Sequence, residues 1–226
     1  MESVKGFFDS FKEFIWDIIG YLLPGSYVLI LLSVCVNKEY FVSPSLGTNT
    51  KDLYPFIFLV ISYLIGHVVY GFGCLKEKWL RKYSYVKTIE DNVSKRQAFD
   101  YSKELLTQAL AAKNLTNKLS VASVRDVRNL VMSFIPESDQ KIYTFTFRSD
   151  LANHTGNISI FVGSLGLLFS IFKCIPMQIF KTDSTHILLY VCLVVAYIFL
   201  RETRNRFYAI SIGLPFSIYT SKSIKP

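Results

Sequence analysis

The stretch "FRSDLANHTGN", residues 147–157, gathers an arginine, an aspartate, a histidine and two asparagines where a polar segment gives way to an apolar one. Arg148 and His154, with five residues between them, are the side-chain types that stabilise charge and move protons in acid–base catalysis. In an unbroken helix, six positions turn the chain by about 240°, which takes the pair off a common face. Asp150 and His154 do share a face at i, i+4, and Asn157 extends the stripe by one turn. That stripe suits interhelical hydrogen bonding or the vestibule of a pore.

Three other polar or helix-distorting residues sit inside apolar sequence. Asp17 opens "WDIIGYLLPG", where Pro24 precedes Gly25. A proline within a span frees a carbonyl and bends the helix, while glycine admits a close neighbour. His67 lies in "SYLIGHVVYGFG" and needs a polar partner from a neighbouring helix. Asp17, Pro24, His67, Asp150, His154 and Asn157 are therefore the candidate coupling or pore-lining residues. Cys35, Cys74, Cys174 and Cys192 are scattered without metal-ligand spacing, so no metal centre is expected. No phosphate-binding loop, zinc pair, nucleophile elbow or dinucleotide fingerprint occurs, and neither an enzyme nor a cofactor is expected.

The elements that must position these residues follow from the distribution of apolar sequence. The chain has 226 residues, 51% of them hydrophobic, collected in long uncharged blocks. Ile18–Val36, Leu53–Leu75, Leu151–Phe172 and Ser184–Leu200 are four such blocks. A helix needs ~20 residues to cross the hydrocarbon of a bilayer. The expected fold is an all-α membrane protein of four transmembrane helices, two and two, with a cytoplasmic helical insert. Residues 1–16 read as an amphipathic helix preceding a retained anchor, with Phe7, Phe8, Phe11, Phe14 and Ile15 toward one broad face. The first helix pair occupies 17–75, the insert 76–150, the second pair 151–205 and a tail 206–226. Within the insert, "SKRQAFDYSKELLTQALAAK" and "SVASVRDVRNLVMSF" have helical periodicity, the second ended by Pro136. "IYTFTF" alternates like a strand but has no strand to pair with, so a helix entering the membrane is expected there.

Basic residues set the orientation. Lys76, Lys78, Arg81 and Lys82 follow the second span, and Arg201, Arg204 and Arg206 follow the fourth. The positive-inside rule puts the N-terminus, the insert and the C-terminus in the cytoplasm. These residues also form a membrane-surface basic patch suited to anionic headgroups, which accounts for a net charge of +8 better than nucleic-acid binding does. The two halves lack an internal repeat, which argues against an inverted-repeat transporter.

The strings "DIIGYLLPGSYVLILL" and "ISYLIGHVVYGFG" resemble small multispan membrane proteins encoded in bacterial anti-phage defence regions. The four-span accessory protein of type VI-B CRISPR systems and the membrane component of the Kiwa system are similar in size and layout. The resemblance implies an inner-membrane effector or sensor that forms a homo-oligomer. Such a protein either alters membrane permeability or regulates a cytoplasmic nuclease partner. The Arg148–His154 spacing also resembles the Arg-x(4–6)-His pattern of HEPN-type RNases, which would imply a membrane-tethered RNase. A small ion channel or transporter is the remaining alternative.

Overall fold

A computed structural model describes residues 2–37, 53–79, 85–112, 119, 122–136, 139–172 and 179–224. Among them the chain forms seven helices and no strand: α1 Glu2–Cys35, α2 Tyr54–Trp79, α3 Tyr85–Ser94, α4 Gln97–Ala111, α5 Val124–Met132, α6 Asp139–Ile171 and α7 Ser184–Ile224. Four of them, α1, α2, α6 and α7, are long and apolar enough to cross a membrane. The segment read as an N-terminal amphipathic helix is continuous with the first span in α1. "IYTFTF" is helical and lies within α6.

Two compact units emerge. Unit one comprises residues 1–79 and 150–201, and unit two residues 80–149 and 202–226. Both α6 and α7 contribute a part of their length to each unit. Residues 206–226, set apart as a tail by the sequence reading, belong to the same unit as 80–149.

Unit two is a small helical domain around Val93, Phe99, Leu106, Val127, Val131, Ile142 and Phe216. Its α5 starts at a capping box. Ser123 accepts from the Asp126 backbone N–H, and the Asp126 carboxylate accepts from the Ser123 backbone N–H. This arrangement satisfies donors that every helix start leaves open. The hydrogen bonds from Ser123 hold the Asp126 carboxyl below its usual range. Glu90 draws two groups together: Arg125 Nε at 2.5 Å and the Tyr208 hydroxyl at 2.7 Å. Burial works against the Arg125 charge, but the Glu90 carboxylate outweighs it and raises the guanidinium pKa.

Pro215 lies inside α7 and is fully buried. A proline lacks an N–H, so the carbonyl four residues earlier loses its helical donor. That carbonyl belongs to Ser211, and Arg128 Nε donates to it at 3.0 Å. Arg148 reaches over the Phe207 ring at 5.7 Å, a cation–π contact.

Unit one packs around Leu31, Cys35, Ile158, Val162, Tyr190 and Leu193. Glycines make room in it for one large side chain. A Cβ at Gly166 would lie 2.5 Å from the Tyr190 ring, and one at Gly163 would lie 2.9 Å from the Tyr190 carbonyl oxygen. The Tyr190 side chain is wholly buried in consequence.

Candidate functional site

The site grows from the crossing of α1 and α2. A Cβ at Gly25 would lie 1.7 Å from the Ser62 carbonyl oxygen, and one at Gly66 would lie 1.9 Å from that of Tyr21. The two backbones meet where only glycine fits. Close backbone approach at small residues is a common way for helices to associate in lipid, where water cannot drive them together. Pro24 is buried beside this crossing. Ser62 is fully buried there too, and its Oγ has no hydrogen-bond partner among the described residues.

From that crossing a row of rings runs along unit one. Tyr21 stacks on His67 with centroids 3.8 Å apart, and Tyr63 meets the same imidazole edge-on at 4.6 Å. Tyr21 also meets Tyr70 edge-on at 5.6 Å, and Tyr70 lies 4.8 Å from His154. His67 and His154, placed on different helices by the sequence, are thus linked through two tyrosines. His154 is 5% exposed and packs over Gly73, where a Cβ would lie 2.9 Å from its Cε1.

Polar contacts continue along α6. Lys76 donates to Asn157 Oδ1, which ties α2 to α6. The Nδ2 of Asn157 is buried without a hydrogen-bond partner among the described residues. Two residues on, Ser159 donates to the Thr155 carbonyl at 2.9 Å, which leaves its oxygen to accept from the Tyr27 hydroxyl at 2.9 Å. All these residues belong to unit one. No family model, curated protein or solved structure matches the chain.

The predicted residues distribute as follows. Asp150, His154 and Asn157 share the expected α6 stripe, and the latter two touch α2. His67 stands two tyrosines away from His154, stacked on Tyr21. Pro24 belongs to the α1–α2 crossing, while the side chain of Asp17 lies outside the described residues. Arg148 and His154 are not brought together. Helix α6 is unbroken between them, and each has its own surroundings, Phe207 for Arg148 and Gly73 with Tyr70 for His154.

In the basic patch, Lys78, Arg201 and Arg206 are exposed, and Arg204 is half-buried. Lys76 turns toward Asn157 instead. Arg81 and Lys82 lie outside the described residues.

Sequence reasoning did not single out Tyr21, Gly73 or Tyr27 as members of the cluster. Their signal is weak, because a tyrosine in a span is equally suited to the interface belt. It also missed a fastening at the C-terminal end of α1. Val36 and Phe180 form an antiparallel bridge, with Asn37 N donating to Ile179 O and Lys181 N to Cys35 O, each at 2.9 Å. Lys181 Nζ donates to the Val34 carbonyl at 2.7 Å, His186 Nε2 lies 3.1 Å from the same oxygen, and the other His186 nitrogen pairs with Asp183. The Tyr190 hydroxyl donates to the Lys181 carbonyl at 2.8 Å. A helix end leaves carbonyls unsatisfied, and cationic side chains are favoured there.

Proposed function

We propose that this protein is a homo-oligomeric effector or sensor of the bacterial inner membrane, with its N-terminus, unit two and its C-terminus in the cytoplasm. Unit two receives a cytoplasmic partner, and unit one responds by altering membrane permeability. The chain passes between the units three times, after α2 and within α6 and α7, and in α6 and α7 the connection is continuous helix. Lys78, Arg201 and Arg206 meet anionic headgroups at the cytoplasmic surface. The resemblance of the first two spans to anti-phage defence proteins supports a setting in which infection provides the trigger.

One observation carries this reading. His67 and His154, joined through Tyr21 and Tyr70, place polar rings inside candidate spans. Polar groups in hydrocarbon are costly and tend to mark function, and these span three helices whose rearrangement would change the bundle.

The test is dye release from liposomes of anionic lipid carrying the full-length chain. Wild-type protein is expected to release dye, and His154→Ala to change the rate. Equal rates for wild type, His154→Ala and His67→Ala, or a monomer in the native mass spectrum, would overturn the proposal. RNA cleavage by the same sample, abolished by Arg148→Ala, would assign the protein to the RNase alternative.

A further inference from the structure

Helix α2 carries two seams. One contains Ser62, Gly66 and Gly73, all buried. The other runs through Val60, Leu64, His67, Gly71 and Cys74, at steps of four, three, four and three residues. This alternation is the spacing at which two helices interlock side chains along a supercoil. Every member of the second seam is exposed, and the space where a Cβ of Gly71 would sit is empty to 4 Å.

His67 sets this face apart from the other outward faces. The exposed α7 residues Leu188, Val191, Val195 and Ile198 are apolar, and lipid tails suit them. His67 is near the middle of α2, with the Tyr21 ring on its face and the Tyr63 ring at its edge, and among the described residues its ring nitrogens make no hydrogen bond. A neutral imidazole carries one N–H donor and one acceptor nitrogen. Hydrocarbon satisfies neither, and leaving such a group without hydrogen bonds in an apolar medium is expensive. A second copy of the same face brings an acceptor for the donor, so the seam is complementary to itself in hydrogen bonding. Beside the imidazole, Gly71 and Cys74 are small enough to let two backbones approach.

We propose that the Val60–Cys74 face of α2 docks against the same face of a second copy of this chain. The two α2 helices run parallel about a two-fold axis along the membrane normal, with His67 hydrogen-bonded to His67 of the partner subunit. The inference rests on the oligomeric reading above and adds the face that forms the contact.

Copper-phenanthroline oxidation of native membranes tests it, in a full-length Cys174→Ser/Cys192→Ser background that keeps the exposed Cys74 and the buried Cys35. A disulfide-linked dimer is expected, lost on further Cys74→Ser replacement. His67→Leu should lower the linked fraction by about threefold or more, the scale of a hydrogen bond between membrane helices. Gly71→Leu should lower it too, since the empty space around Gly71 leaves the fold of one copy undisturbed. No Cys74 linkage from a protein that is oligomeric by native mass spectrometry overturns this face alone. Linkage that neither His67→Leu nor Gly71→Leu reduces overturns it as well. A monomeric mass spectrum overturns the oligomeric reading itself.

Discussion

Arg128 Nε donates to the carbonyl oxygen of Ser211 across 3.0 Å, at the one place in α7 where Pro215 withholds the helix's own donor. Ser211 is 1% exposed, so water does not offer a substitute. A buried carbonyl without a donor costs about 1–3 kcal/mol. Arg128→Ala should destabilise unit two by that amount, read as a lower midpoint in thermal unfolding. Pro215→Ala restores an N–H that can serve Ser211. The double variant should therefore lose less than the sum of the two single changes, and strict additivity would refute the pairing.

Gly25 and Gly66 should tolerate no side chain. At either position a Cβ meets backbone rather than a movable side chain, at 1.7 and 1.9 Å. Gly66→Val is expected to cost about 3 kcal/mol, the upper end of overpacking penalties, because α1 and α2 must separate. Faster proteolysis of the purified variant in detergent and a lowered unfolding midpoint would report that separation. A wild-type midpoint would show that α1 and α2 do not cross there.

Tyr190 should be sensitive to loss of its hydroxyl alone. The group donates to the Lys181 carbonyl at 2.8 Å from a fully buried ring. Tyr190→Phe keeps the packing and removes the bond, at an expected cost of about 1–2 kcal/mol. Gly166→Ala attacks the same ring from α6 and should be worse, since a Cβ there would lie 2.5 Å from three ring atoms. Equal unfolding midpoints for wild type and Tyr190→Phe would remove the hydroxyl from the fastening.

Asp126 should confer an acid limit on α5. Its carboxyl lies below the ordinary value of 3.8 because Ser123 hydrogen-bonds the ionised form. A lowered folded-state pKa favours folding above the ordinary carboxylate range, and the contribution disappears as pH falls through the folded value. Asp126→Asn should remove this part of the acid sensitivity. In Ser123→Ala, the carboxyl resonance should titrate closer to 3.8 than in wild type. Unchanged titration would mean that the capping box does not hold the carboxylate.

The spans were legible because uninterrupted apolar sequence leaves few other structures. The predicted Leu53–Leu75 block lies within a stretch that turns helical at Tyr54, and Leu151–Phe172 meets the end of α6 at Ile171. Residues 206–226 were not legible as part of a packed unit. Charges at Arg201, Arg204 and Arg206 resemble the end of a span, and Pro215 argues against a helix that continues. The helix continues nonetheless, and the Arg128 side chain that serves its broken ladder comes from α5, far away in sequence. The α6 stripe was readable from i, i+4 spacing, since that periodicity is local. Its partners were not, because the meeting of Gly73 with His154 and of Lys76 with Asn157 depends on how α2 lies against α6. Lys76 in particular was read with the basic residues that follow the second span, yet its amine reaches Asn157 on α6.

The fastening of α1 imposes an order on biosynthesis. The carbonyls of Val34 and Cys35 are served by Lys181 and His186. During translation they emerge more than a hundred residues before those groups exist. Throughout that interval the first helix must be tended by water at the membrane surface or by the insertion machinery. A chain interrupted before residue 181 would leave this end permanently undressed, which offers quality control a mark for telling unfinished copies from finished ones.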